Sequence, residues 1–316
     1  MSAAAPMLDR RQLRQLTMIS IGAIAVFVVF RFLPTGTNLN HMDFRVNASN
    51  SIDFCDPLNP QFIPVVAVAS PVTMTLQSDT ASLQTGRESR FTLTLKTAKG
   101  KVIAPEDLVI AHTKLLHLLI VDPTLTDYQH VHPEVVRKTG EWTFAFMPRR
   151  DGVYRVFADF TPAATGRGLY ASADLTVESA AATAGQTAEA ANTANAGAFT
   201  PAERNGYRFS LTPATPAIRA GKPVDLKFAI VRADGGAVPM EPVMGAFAHL
   251  VAFDEARSGF AHLHPMETDV TQRPDATHPT LNFKITIPRE GSYVIWSQVN
   301  LGGEEVFVPF RFEVGK

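Results

Sequence analysis

Two stretches decide how this chain folds: KLLHLLIVDPTLTDYQHVHP (Lys114–Pro133) and GAFAHLVAFDEARSGFAHLHP (Gly245–Pro265). Each contains H-x12-H-x-H-P, formed by His117, His130, His132 and Pro133 in the first and by His249, His262, His264 and Pro265 in the second. Each leading histidine lies in an apolar, strand-like run, Leu115–Val121 or Phe247–Phe253. On a β-strand, residues i and i+2 point to one face, about 6.5 Å apart. His130/His132 and His262/His264 are therefore pairs able to grip one ion. The intervening residues let the chain turn and bring a third imidazole alongside. Six of the nine histidines are spent in this pattern, which makes chance a poor explanation.

Similarity between the two stretches continues in both directions. Upstream, Leu83–Arg87 followed by Phe91, Leu93 and Leu95 parallels Ile218–Lys222 followed by Val224, Leu226 and Phe228. Downstream, Asp151-Gly152-Val153-Tyr154 parallels Glu290-Gly291-Ser292-Tyr293. Solenoid repeats run about 20 to 50 residues, and this period is longer than that. It marks a duplicated domain, with copies at 71–178 and 205–316 joined by an Ala-rich linker at 179–204. Units of roughly 105 to 110 residues are large enough for separate cores.

Within each copy the apolar period is two. Phe91, Leu93 and Leu95 alternate with Thr92, Thr94 and Lys96, as Val224, Leu226, Phe228 and Ile230 do with their neighbours. The first copy predicts further strands at Val72–Leu76, Leu115–Val121, Glu141–Met147, Val153–Phe160 and Leu169–Val177. The second predicts Tyr207–Leu211, His249–Phe253, Leu281–Ile287, Ser292–Gln298 and Glu305–Val314. Short strands punctuated by Gly and Pro, without a long 3.6-period segment, give an all-β fold. The expectation is two tandem immunoglobulin-like β-sandwich domains behind one N-terminal transmembrane helix. Tyr154 and Tyr293 read as tyrosine corners, whose phenols bond back to the main chain.

Arg10, Arg11 and Arg14 precede the apolar run Leu16–Phe30, which continues to Leu33. Residues 16–33 are long enough for a short membrane span, and residues 1–34 comprise a cytoplasmic N-terminus and anchor. The basic flank places the N-terminus in the cytoplasm and the bulk in the periplasm, on the inner membrane. The run lacks a small-x-small site after it, which favours an uncleaved anchor over a signal peptide. Residues 35–70 are irregular yet carry Phe44, Phe54, Phe62 and Val65-Val66-Ala67-Val68. They read as an extracytoplasmic docking segment against this chain's own first domain or against another membrane protein. The net charge of −1 leaves no footprint for nucleic acid. The one cysteine, Cys55, forms no intrachain disulfide and reads as a small buried hydrophobe.

Three imidazoles converging from neighbouring strands give a three-nitrogen site with an open position, suited to copper or zinc. Candidate extra ligands are His112, five residues before His117, and Met244, five before His249; Met240 and Met266 lie nearby. The bland alternative has His117 and His249 half-buried and bonded to Asp122, Asp254 or main-chain carbonyls. His41, His278 and the turn tyrosines read as structural. No catalytic motif accompanies the histidines: the glutamate of H-E-x-x-H is missing, as are G-x-S-x-G and Walker patterns. The expectation is a protein that is not an enzyme.

The two H-x12-H-x-H-P stretches resemble those of a group of bacterial exported proteins, similar in broad terms to periplasmic copper-handling β-sandwiches. The resemblance spans about Val72–Glu178 and Tyr207–Val314. It implies an immunoglobulin-like fold and heavy-metal binding through His117, His130, His132, His249, His262 and His264. Two functions follow as expectations. One is a membrane-anchored periplasmic protein for copper or zinc storage, delivery or resistance, with one three-histidine site per domain. The other is a non-catalytic subunit of a respiratory or photosynthetic membrane complex, docked through residues 35–70 and its sandwiches.

Overall fold

A computed structural model describes residues 9–32, 39–44, 60–137, 140–179 and 199–316. Cys55 and the linker centre lie outside the described residues. Helix α1 (Arg10–Phe32) is long and apolar enough to cross a membrane. Leu39–Lys316 forms a separate compact unit containing both sandwiches.

The first sandwich has β1 (Val72–Ser78), β2 (Leu83–Gln84), β3 (Ser89–Thr97), β4 (Leu108–Val109), β5 (Leu116–Val121), β6 (Tyr128–Val131), β7 (Glu134–Arg137), β8 (Glu141–Phe146), β9 (Gly152–Pro162) and β10 (Leu169–Glu178). The second has β11 (Ala202–Arg204), β12 (Tyr207–Pro213), β13 (Ile218–Arg219), β14 (Pro223–Arg232), β15 (Met240–Glu241), β16 (Ala248–Asp254), β17 (Phe260–Leu263), β18 (Thr280–Thr286), β19 (Gly291–Leu301) and β20 (Glu304–Gly315). One sheet of each copy runs β1-β3-β8-β7 or β11-β12-β14-β18. The other runs β2-β10-β9-β5-β6 or β13-β20-β19-β16-β17, with β4 or β15 added on β9 or β19. The copies share the larger sheet and the core β1-β3-β8 or β12-β14-β18 of the smaller one, whose extra strand lies on opposite edges, β7 beside β8 and β11 beside β12; the expected tandem β-sandwiches are present.

Sequence period two sets the cores. On β3, Phe91, Leu93 and Leu95 are buried while Arg90, Thr92 and Lys96 are exposed. Tyr293 donates to the Arg289 carbonyl (3.1 Å), closing the expected corner. Tyr154 differs in detail: it accepts from the Arg150 amide (3.0 Å) and donates to buried Asp127 (2.6 Å). The second sandwich begins at Ala202, three residues before the expected boundary at 205. Asn205 and Gly206 both have positive φ (50° and 78°), the geometry of an Asn-Gly hairpin turn that lets β11 fold back on β12.

Strands β5 and β16 break the alternation: every residue from Leu116 to Val121 and from Ala248 to Phe253 is buried. One face enters its own core through Leu116, Leu118 and Ile120, or Leu250 and Ala252. The opposite face meets the other sandwich. Leu119, Val121, Tyr128 and Phe157 of the first copy form one apolar core with Val251, Phe253, Phe260, Val294 and Trp296 of the second. Phe157 packs on Phe253 and Phe260 at ring separations of 6.1 and 5.3 Å. The broad sheets are thus packed face to face.

The described parts of residues 35–70 are spent on this same chain. Leu39 and Phe44 enter the first core, Phe62 enters the second, and Ile63 and Val65 join the core between them. Ile63 pairs with Phe260 through two main-chain hydrogen bonds (2.8 and 3.1 Å), and Phe62 donates to Thr286 (3.0 Å). This strap extends the exposed edge of β17. Among the described residues, Leu39 and Phe44 make the expected contact with the first domain, and Phe62, Ile63 and Val65 add contacts with the second sandwich and the core between the two.

Candidate metal centre

His117 is the second residue of β5, in register with Asp159 on β9, and His249 is the second residue of β16, in register with Gln298 on β19. His130 and His262 lie on the adjoining β6 and β17. His132 and His264 follow just beyond those strands. The structure brings together both predicted triads, His117/His130/His132 and His249/His262/His264, each with candidate ligand nitrogens within 4.8 Å of one another.

The hydrogen bonds fix which nitrogens can bind. His117 Nε2 donates to the Ala111 carbonyl (3.0 Å) and His249 Nε2 to the Val243 carbonyl (2.9 Å). A carbonyl only accepts, so in each neutral ring Nδ1 carries the lone pair. Gln298 Nε2 donates to Glu305 (2.8 Å), which turns the amide oxygen toward His130 Nδ1 at 2.8 Å. His262 Nδ1 faces the Asp159 carboxylate at 3.3 Å. Both rings therefore carry hydrogen on Nδ1 and a lone pair on Nε2. The result is two opposed lone pairs in each triad: His117 Nδ1 with His130 Nε2 at 3.1 Å, and His249 Nδ1 with His262 Nε2 at 3.3 Å. His132 Nε2 and His264 Nε2 are buried without a hydrogen-bond partner among the described residues. Converging bare nitrogens repel one another, and a cation between them relieves that repulsion.

Burial pushes all these imidazoles below their ordinary pKa, His130 and His262 well below it, and neighbouring histidines add to the effect. His132 is pushed down to about 3 and His249 to about 4. His117 and His264 move the same way, again through burial first. The contact of His262 with Asp159 is thus a hydrogen bond from a neutral ring rather than an ion pair. Neutral rings are the form that binds a metal. Ligand histidines are ordinarily held by a carboxylate, carbonyl or amide on the far nitrogen, as four of these six are.

Several expectations change. Asp122 and Asp254 do not reach the histidines: Asp122 accepts from the Thr124, Thr126 and Asp127 amides, and Asp254 from Ser258, so each caps its hairpin loop. Met240 is buried in the second core, and Met266 is exposed. His112, a candidate extra ligand, lies nearer the second triad than its own. Its ring stacks on His264 of the second copy (3.7 Å, 17°) and lies 6.0 Å from His117. Met244 occupies the equivalent position of the equivalent turn. Ala111–Lys114 and Val243–Ala246 are both tight turns with two consecutive positive φ values, at His112 and Thr113 (49° and 69°) and at Met244 and Gly245 (51° and 78°). A β-branched threonine in that conformation costs on the order of 1–2 kcal/mol, which Gly245 avoids.

Sequence reasoning missed Asp159 and Gln298. Their signal is positional: each is directly opposite the leading histidine of its copy in the Phe157-Ala158-Asp159 and Trp296-Ser297-Gln298 runs. It emerges once strand register is known.

Comparison with known proteins gives a family. The family described as Domain of unknown function (DUF8832) matches residues 67–179 and again 202–316, and the chain belongs to it. No curated protein matches. Among solved structures, the Escherichia coli adhesin FdeC shares 16% identity, covering 77% of this chain and 64% of that one, with a TM-score of 0.24. A DUF4785 family protein from Legionella pneumophila shares 8%, covering 76% and 55%, at 0.24. The fibronectin(III)-like modules of Clostridium thermocellum CbhA share 10%, covering 76% and 93%, at 0.18. The chain spans less than two thirds of the first two, and likenesses at these scores carry no argument about function.

Proposed function

We propose that this chain is a membrane-anchored periplasmic protein that binds copper or zinc, one ion per three-histidine set, in storage, delivery or resistance rather than catalysis. The opposed lone pairs in both triads carry this reading. Imidazole suits either metal, and a thioether such as that of Met244, five residues before His249, would favour copper in its reduced form. Metal analysis by mass spectrometry on the full-length protein in detergent is expected to find about two ions per chain. His130→Ala with His132→Ala removes one, and His262→Ala with His264→Ala removes the other. A metal-free protein after equilibration with Cu or Zn would end the proposal.

The location rests on Arg10, Arg11 and Arg14 ahead of the apolar helix, the charge bias of an N-terminus left in the cytoplasm. Protease added to spheroplasts is expected to degrade both sandwiches; full protection reverses the orientation. A role as a subunit of a larger membrane complex draws less support. Phe62, Ile63 and Val65 are already buried against this chain, leaving the helix and the outer faces for a partner.

A further inference from the structure

The two triads do not lie apart. Within the first, ring centroids are 4.8 to 5.3 Å from one another, and within the second 4.7 to 5.5 Å. Between the two, His130 is 5.4 Å from His262, His117 is 5.8 Å from His262, and His130 is 6.3 Å from His249. Separation across the boundary is nearly that within a set, so the six rings make one cluster at the domain interface.

The supporting contacts are exchanged between the copies. Gln298 of the second sandwich holds His130 of the first, and Asp159 of the first holds His262 of the second. His112 of the first lies over His264 of the second. The two tight turns carrying His112 and Met244 meet at the same place, because a Cβ on Gly245 would lie 3.4 Å from Thr113 Cγ2. Neither triad is fully oriented by its own sandwich. The interface is apolar and extensive, with Phe157, Phe253 and Phe260 stacked beside the histidines' strands, so this exchange is built into the packing.

Resting on the metal-binding reading above, we infer that the triads form one binuclear centre: docking of the sandwiches holds two first-row transition-metal ions as an interacting pair, one ligand of each ion oriented by the opposite domain. The chemical class is two borderline cations such as Cu(II), each in a three-imidazole set. Asp159 and Gln298 are positioning residues in this scheme.

Cu(II) added to the full-length protein in detergent, followed by electron paramagnetic resonance, tests it. With two equivalents bound, the spectrum is expected to broaden and show a half-field transition, or to lose intensity, as paired spins do. His132→Ala or His264→Ala, each at a half-buried position beyond a strand end, should leave one ion and restore a sharp axial spectrum. In the His132→Ala background the remaining ion belongs to the second domain. There Asp159→Asn, a change in the first domain, should weaken that ion by roughly 10- to 100-fold and alter its spectrum. Gln298→Ala in the same background should leave it nearly unchanged. Two ions with additive, sharp spectra, or one ion shared by both triads, would overturn the pairing while leaving metal binding intact. No bound ion would overturn both. Equal sensitivity of the second-domain ion to Asp159→Asn and Gln298→Ala would overturn the exchange of support.

Discussion

The two sandwiches agree in the topology of the larger sheet and in the placing of three histidines on it, yet they differ in what surrounds those histidines. The first sandwich presents a carboxylate, Asp159, opposite its leading histidine; the second presents an amide, Gln298. The first carries an imidazole, His112, at its tight turn; the second carries the thioether Met244. A strap runs along the edge of the second sandwich at β17 and buries Phe62 in its core. The first receives Leu39 and Phe44 instead. Duplication kept the geometry of the ligands and let charge and softness around them diverge. On the metal-binding reading, two sites of one shape are then expected to have unequal affinities.

The largest expected asymmetry comes from the strap. A Cβ on Gly259 would lie 1.8 Å from the Ile63 carbonyl oxygen, a main-chain atom that cannot step aside. Gly259→Ala should displace the strap and lose the burial of Phe62, costing about 3–5 kcal/mol. Hydrogen exchange should rise in β14, β17 and β18 while β1, β3 and β8 hold their protection. Equal loss in both copies would show that the strap supports them alike.

Acid should separate the copies next. A buried histidine with a lowered folded pKa stays neutral while the unfolded chain takes up protons. Its stabilisation is therefore complete above the ordinary value of 6.5 and falls away as pH drops toward the folded value. For His249, folded pKa about 4, this amounts to roughly 3 kcal/mol by pH 4. The charge of Asp159 eases protonation of His117, so the two leading histidines should titrate apart. Histidine NMR titration of the metal-free protein, with unfolding midpoints from pH 7 to 4, checks this; a midpoint flat over that range would contradict it.

A smaller effect concerns the ions themselves. Gln298→Glu combined with Glu305→Gln gives His130 a carboxylate partner without placing two carboxylates together. The affinity of the first triad should rise about tenfold, or ~1.4 kcal/mol, measured by competition with a chelator. An unchanged affinity would mean the Asp159/Gln298 difference does not set the inequality. The smallest effect is local: Thr113→Gly relieves the positive-φ threonine and should stabilise the first copy by about 1 kcal/mol, read from the thermal midpoint. The same turn in the second copy already has its glycine.

Much of this was legible in the sequence because it depends on short spacings. Alternation on β3 and β14 predicts the sandwich, and H-x-H on a strand predicts paired ligands, with no knowledge of distant contacts. The docking of the sandwiches depends on long-range packing, and so do Asp159 and Gln298, which become neighbours of histidines 103 and 168 residues away. One clue to the interface was present. Leu116–Val121 and Ala248–Phe253 are apolar on both faces, whereas a sandwich strand with one face in water alternates. Likewise Asn205-Gly206 announces the hairpin that starts the second domain early, and the aromatics of residues 35–70 announce burial without naming the surface.

The exchanged contacts also speak to ancestry. His130 with Gln298, and His262 with Asp159, repeat one contact between equivalent positions in both directions. That is the signature of an isologous twofold interface between identical subunits. A chain with a single copy would satisfy the same contacts by pairing with a second molecule of itself. Within one chain that pairing is intramolecular, and each half can differ from its twin, as Asp159 and Gln298 do.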